Sequence, residues 1–450
     1  MVETKNLQEK TKIMIQMVLP ILITQVALYL MTFFDILMTS KYNINHLAGV
    51  SIGSSLWVPV YTGLTGILLG ITPIVAQLIG AKKQEDVRTF VQQGLYIAIL
   101  LAILVFIGII LFLDPILQAI PLETSVRIIA EKYLWMMCIG LLPLFLYSVL
   151  RSFIDALGKT RISMFITLLS APINIALNYV LIYGKFGLPA LGGVGAGLAS
   201  AITYWLILII TIFIIKYNKP FADLQIFQEW TKPSLAKLKT LTVIGLPIGL
   251  SIFAETTIFS AVTIMMSVFS TAVISAHQIA MNFTSLLYMI PLSIAMGATI
   301  LVGQEVGAKR YQDAKSYSWL GVGTAVSFSF VSATILLVWR EPIAAIYTND
   351  VEVINLTVQF FFFAALFQLS DAIQAPVQGA LRGYKDVTIT FIMAIISYWI
   401  IGLPIGYILG TYTAYGPFGY WIGLIAGLTV GALTLGTRLV YLQRKFAKLY

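Results

Sequence analysis

Long apolar runs recur along this chain, separated by short clusters of charged residues, Gly and Pro. The runs lie near residues 13–39, 47–79, 90–113, 128–150, 162–183, 192–215, 240–269, 275–305, 316–339, 352–378, 387–410 and 418–441. A helix needs about 20 predominantly apolar residues to cross a hydrocarbon core ~30 Å thick, and every run meets that length. The pattern predicts an all-α polytopic membrane protein with twelve transmembrane helices. Between the runs the longest polar stretch is Lys216 to Lys239, too short to bury a core of its own.

Composition agrees with that class: hydrophobic residues make up 59% of the 450 and charged residues 10%, which excludes a large soluble fold. The charges then orient the spans. Loops on the side of the two termini hold 23 Lys and Arg, whereas the opposite side holds 5, namely Lys41, Arg127, Lys132, Lys185 and Arg340. Basic loops remain cytoplasmic, so both termini are expected there, in a bacterial plasma membrane. Topology thus accounts for the net charge of +9, and no basic run interleaved with aromatics suggests nucleic acid. Lys5, Lys10 and Lys12 precede the first run, but Ile13 to Met38 is too long for a signal peptide and reads as a span. Cys138 stands alone in an apolar run and forms no internal disulfide.

An internal repeat divides the chain. Gln77-Leu-Ile-Gly80-Ala81-Lys82 ends span 2 and Gln304-Glu-Val-Gly307-Ala308-Lys309 ends span 8, at an offset of 227 that also pairs Pro20 with Pro247 and Gly70 with Gly297. Ala156-Leu157 pairs with Ala380-Leu381 and Gly195 with Gly419 at an offset of 224. Six spans per half keep the same side cytoplasmic, so the halves should be related by a pseudo-two-fold axis along the membrane normal. The expected organisation is a six-helix bundle over residues 1–216, a cytoplasmic linker over 217–239 that tethers the halves, and a second six-helix bundle over 240–450. A central cleft is expected between the bundles.

Of the carboxylates inside spans, three stand out: Asp35 in span 1, Glu255 in span 7 and Asp371 in span 10. An ionised carboxylate near mid-membrane costs ~2.5 kcal/mol or more, so such residues usually face a bundle interior or a water-filled cavity. Glu255 interrupts the apolar stretch from Leu241 to Phe269. The alternative for it is a structural carboxylate bonded to a neighbouring helix. At ~1.5 Å per residue Glu255 and Asp371 lie about 24 and 17 Å from the cytoplasmic border, both at middle depths of the second bundle. Their repeat counterparts are Leu28 and Tyr147, so something specific to the second half requires these acids. Two neighbouring desolvated carboxylates can share a proton or hold a neutralising cation, to which Tyr288 can present a ring face or hydroxyl. An ordinary belt tyrosine is the alternative there. In the first half Asn174 and Asn178 stand at i and i+4 on one face of span 5, either bridging helices or joining Asp35 in a cluster that responds to protonation. Asp155, beside Arg151 and Lys159, reads as an interfacial charge pair. Pro20, Pro247 and Pro376 mark places where helices are expected to bend. With no G-x-x-x-x-G-K-[ST] and no H-E-x-x-H, enzymatic chemistry is not expected.

These elements together are specific: the acid Asp35, Pro172-x-Asn174-x-x-x-Asn178, the stretch from Pro247 to Glu255, the two Q-x-x-G-A-K segments, and Asp371 followed by Gln378-Gly-Ala-Leu-Arg382-Gly. The chain resembles, over essentially its whole length, the multidrug and toxic compound extrusion (MATE) transporters of the NorM-like branch. The resemblance implies antiport, in which inward flow of Na+ or H+ drives export of amphipathic, mostly cationic compounds by alternating access. It also implies roles: Glu255, Asp371 and Tyr288 as the cation-coupling site, with Glu255 and Asp371 as the Na+ ligands if sodium is the ion, and Asp35, Asn174 and Asn178 as a proton or substrate site. The expected partners are small amphipathic molecules and the lipid bilayer, with no nucleic acid, no cofactor beyond the coupling ion, and a monomeric state. The rival reading is a lipid-linked oligosaccharide or polysaccharide flippase of the same superfamily, which would place several Arg or Lys inside its spans to hold phosphates.

Overall fold

A computed structural model describes residues 3–448, which form helices joined by short turns, with no strand among the described residues. In chain order the spans are α1 (Leu7–Tyr42), α2 (Ile44–Gly80), α3 (Gln84–Ala119), α4 (Thr124–Ile139 with Leu141–Ala156), α5 (Thr160–Tyr183), α6 (Gly193–Tyr217), α7 (Leu235–Val268), α8 (Thr271–Gly307), α9 (Tyr311–Val338), α10 (Val351–Gly383), α11 (Thr388–Tyr412) and α12 (Pro417–Ala447). Eleven of them are single helices long and apolar enough to cross a membrane, and α4 meets the test as a pair bent by 47°. Pro143 explains that break. Its ring has no N–H to give and clashes with the carbonyl four residues back, at Ile139, where the first half of α4 ends. The protein is therefore an all-α, multi-pass membrane protein with twelve spans.

Burial follows the logic of a lipid solvent. On α3 the residues Leu95, Ala98 and Ala102 are buried, while Leu100, Leu104 and Leu111 are exposed, an apolar outer face suited to acyl chains. Small residues let helix backbones approach inside. A Cβ on Gly379 of α10 would lie 2.2 Å from the carbonyl oxygen of Ala295 on α8. Thr299 of α8 donates to the Gly379 carbonyl at 2.8 Å. These contacts fix the height and rotation of α10, and with it everything on its polar face.

Two compact units are present: a first, Pro20–Gly249, and a second made of the residues up to Leu19 together with those from Leu250 onward. These limits differ from the boundaries expected at 216/217 and 239/240. The start of α1 packs within the second unit, where Lys10 pairs with Asp313 at 2.8 Å. Nor is residues 217–239 a loose tether. Gln92 of α3 donates to the Ile226 carbonyl at 2.8 Å and accepts from the Thr231 hydroxyl at 2.8 Å, and Gln93 accepts from the Ser234 N–H at 2.9 Å. Both amides are fully buried. An irregular segment has backbone groups that helix formation does not satisfy, and these two side chains supply the partners.

The repeat is visible in the backbone, with one correction to its register. Lys82 and Lys309 both adopt positive φ, 58° and 60°, at the offset of 227. Gly158 and Lys385 also have positive φ, 80° and 62°, and their N–H groups close matching turns onto Asp155 and Arg382. The offset is therefore still 227 at the ends of α4 and α10, so that Ala156 matches Gly383 rather than Ala380. The shift to 224 comes later, where Gly192 and Gly416, with φ of 59° and 57°, precede α6 and α12. In this register the counterpart of Asp371 is Leu144, not Tyr147, and that of Arg382 is Asp155.

Candidate functional site

In the first unit α5 brings Asn174 and Asn178, both fully buried, to α1. The Asn178 amide donates to the Asp35 carboxylate and also to the Asn174 side-chain oxygen, the latter at 3.1 Å. The predicted trio thus meets as one hydrogen-bonded cluster. Asn178 Oδ1 and Asn174 Nδ2 are buried without a partner of their own, so the cluster retains one acceptor and one donor for a proton, water or substrate group. Tyr133 and Tyr204 lie close enough to Asp35 to interact with its charge. Sequence reasoning missed both. They sit on α4 and α6, and no local spacing links them to α1.

The second unit places Glu255 on α7, Tyr288 on α8 and Asp371 on α10. Asp371 interacts electrostatically with Glu255, and Tyr288 with both acids. The three expected residues therefore lie within electrostatic reach of one another, with no direct hydrogen bond between any two of them. Asp371 is 9% exposed, and Glu255 and Tyr288 are half-buried. Among the described residues no group of three His, Cys, Asp or Glu stands close enough to hold a metal ion.

Residues not foreseen complete the site. Gln378 of α10 donates from Nε2 to Glu255 Oε1 at 2.9 Å, so α7 and α10 are bonded at the acid. Gln374 donates to the Tyr398 hydroxyl at 2.8 Å, leaving its own Oε1 buried without a partner. Tyr398 lies in a π-helical stretch of α11, Ile396–Gly402. Such a stretch widens the helix by a residue and often occurs at functional sites. Trp399, next to it, donates to the Ala254 carbonyl at 3.2 Å and holds α11 beside Glu255. Arg382 is the larger correction. Expected in a cytoplasmic loop, it lies within α10, half-buried, where it interacts with Glu255 and Tyr288. Asp371, Gln374, Gln378 and Arg382 fall at i, i+3, i+7 and i+11, one face of a helix. That spacing was the signal that could have found them.

Other expectations fare differently. Asp155 is 5% exposed, pairs with Arg151 Nε at 3.6 Å and accepts from the Ser163 hydroxyl at 2.6 Å, so it is a buried pair rather than an interfacial one. The helices α1, α7 and α10 run on through Pro20, Pro247 and Pro376. Pro376 leaves the carbonyl of Ala372, next to Asp371, without its helical donor. A G-x-S-x-G run does occur, from Gly49 to Gly53, but it lies inside α2 and lacks the strand-to-helix elbow that exposes a nucleophile.

Known proteins resemble this chain along its whole length. The MatE family matches it twice, over residues 20–180 and 247–408, starting at the same 227-residue offset as the internal repeat. A protein of Halalkalibacterium halodurans named "Probable multidrug resistance protein NorM" is 54% identical over 445 residues, covering 99% of this chain and 97% of its own. A Bacillus subtilis protein of the same name is 55% identical over 448 residues, covering 100% and 99%. Among solved structures, a multidrug resistance MATE family transporter of the MOP superfamily in an outward-facing conformation superposes with a TM-score of 0.90 at 18% identity, over 100% of both chains. With twelve spans, the repeat and the intramembrane acids all in place, this chain belongs to the MATE family, in its NorM branch.

Proposed function

We propose that the protein exports amphipathic, mostly cationic compounds across the membrane in exchange for Na+ or H+, by alternating access. Full-length relatives named as multidrug resistance proteins support the export half of this reading. The coupling half rests on one observation: Glu255 and Asp371, on different helices of one unit, interact inside the membrane-spanning region with Tyr288 beside them. Such a site holds excess negative charge in a poorly solvated place and favours a proton, a metal cation or water. A cationic substrate relieves the same charge. Substrate and ion then compete without touching, provided each prefers a different facing state by a few kcal/mol.

The cluster of Asp35, Asn174 and Asn178 serves as the proton or substrate site of the first unit. Both termini face the cytoplasm, in line with the distribution of basic loops, and the monomer is the working unit. The half-buried guanidinium groups do not favour the flippase alternative, because Arg151 pairs with Asp155 and Arg382 lies in the field of Glu255, so neither stands among other bases as a phosphate site would need. The test is transport of ethidium in proteoliposomes under sodium and proton gradients imposed separately. One gradient should drive ethidium and the other should not. Movement of an anionic lipid-linked sugar, with none of ethidium, would replace this reading by the flippase.

A further inference from the structure

Within the second unit, most charged side chains buried toward one end of the spans are already paired. Glu305 is bonded to Arg310 at 2.6 and 3.2 Å, Asp313 to Lys10 at 2.8 Å, and Asp386 to Arg438 at 2.6 and 3.1 Å. Three more charged side chains of this unit are buried or half-buried within the spans: Glu255, Asp371 and Arg382. Their arrangement is not symmetric. Gln378, one helical turn before Arg382 on the same face of α10, donates to Glu255 at 2.9 Å, and the guanidinium of Arg382 lies near enough to feel the charge of that same carboxylate without forming a direct ion pair. Asp371 lies three turns away along the face and has Glu255 as its charged neighbour. The backbone of this part of α10 packs closely on α8, since Gly379 and Gly383 leave no room for a Cβ there.

We propose that Arg382 is the built-in counter-charge of this site, balancing Glu255 so that a single monovalent cation, neutralising Asp371, fills it. The inference rests on the cation-coupled reading above and adds a stoichiometry to it. Two ionised acids without a base would call for two charges. Guanidinium stays protonated under all conditions a membrane protein meets, so the balance does not drift with pH. An occupied site is then neutral, and exchange of one monovalent ion for one monocationic substrate moves no net charge through it. The alternative role for Arg382 is structural: a basic residue in the last turn of α10, favoured by the helix dipole. That role predicts an effect on stability and none on charge movement.

The experiment measures the steady-state gradient of ethidium in proteoliposomes at fixed ion gradients while potassium and valinomycin set the membrane potential, with Asp371→Asn liposomes as the leak control. Wild type should build a gradient that does not respond to the potential. Arg382→Gln should add one uncompensated charge per ethidium, shifting the gradient about 50-fold per 100 mV, and Arg382→Lys, which keeps the charge, should behave as wild type. A wild-type gradient that already shifts by that factor overturns the proposal without any variant, even if Arg382→Gln does not fold. An Arg382→Gln protein that transports ethidium with wild-type indifference to the potential overturns it as well. If neither ion gradient drives ethidium in wild type, the cation-coupled reading itself fails, which is a different result from either.

Discussion

Arg151 and Asp155 of the first unit occupy the positions that Gln378 and Arg382 occupy in the second, and Tyr61 stands where Tyr288 does. The folds agree at these places, as the matching left-handed turns at Gly158 and Lys385 show. The charges do not. In the first unit base and acid sit one turn apart on a single helix, at 3.6 Å, with Ser163 bonded to the acid, so the site is closed and neutral. The second unit has an amide where the first has its arginine and an arginine where the first has its aspartate. Its acid has moved to another helix, as Glu255 on α7, and Asp371 is added without a base of its own. A duplicated scaffold therefore carries a sealed ion pair in one copy and an open, negatively charged site in the other. On the coupling mechanism proposed above, a few side chains on one face of α10 decide which half would hold the ion.

If the comparison is right, the largest effects come from removing the unbalanced acids. Asp371→Asn and Glu255→Gln should each depress ion-driven ethidium efflux by two orders of magnitude or more, equivalent to about 3 kcal/mol, the usual cost of removing one member of a buried charged set. Efflux assays on cells with equal protein in the membrane would show it. Full ion-coupled efflux by Glu255→Gln would move the coupling site to Asp35, Asn174 and Asn178.

Arg151→Gln tests the sealed pair and should act on a different property. It strands Asp155 among buried side chains, at a cost on the order of 2–3 kcal/mol once partial exposure of the arginine is allowed for. Thermal unfolding of the purified protein in detergent should drop clearly, while the protein that remains folded keeps its ion dependence. Loss of ion dependence at unchanged melting temperature would mean that the first unit's pair also takes part in coupling.

Next in size is the first-unit cluster. Asn178→Ala removes the amide that bridges Asp35 and Asn174, and a hydrogen bond to a charged group is worth ~1.5–3 kcal/mol. Ethidium efflux should fall about tenfold, with sodium or proton binding at the second unit retained. An unchanged rate would leave Asp35 with a structural role only.

Smallest is the double change Gln92→Ala with Gln93→Ala, which frees the segment over residues 217–239 from α3. Each amide makes several bonds, for ~1 kcal/mol apiece in net stability. Limited trypsin digestion should cut at Lys237 or Lys239 several times faster than in wild type, with transport little changed. Equal cleavage rates would show that packing rather than these amides holds the segment.

Much of this was legible in the amino-acid sequence because a bilayer leaves few choices. Backbone groups in hydrocarbon must be satisfied within the chain, so a run of about 20 apolar residues becomes a helix, and twelve runs become twelve spans. A carboxylate in such a run is costly wherever the helix goes, so Asp35, Glu255 and Asp371 stood out before any contact was known. Two amides at i and i+4 share a face by helix geometry alone, and Asn174 and Asn178 do share one.

Tertiary structure decided what faces what. Arg382 looked like a loop residue because basic residues cluster at span ends, yet α10 continues through it and places its charge within the field of Glu255, on a helix far away in sequence. Asp155 looked interfacial until α5 supplied Ser163 and closed it in. The register of the repeat at the end of α4 was misread because two short apolar words, Ala-Leu, occur at 224, while the left-handed turns that define the helix ends repeat at 227. The segment after α6 looked like a tether because its polarity says nothing of the two glutamines on α3 that hold it. Local pattern determines which residues must be helical and which charges are out of place, since those depend on the solvent and on a helix's own period. Pairing of charges across helices depends on rotation and height, which are settled where backbones touch, as at Gly379 and Ala295, and no span carries that information by itself.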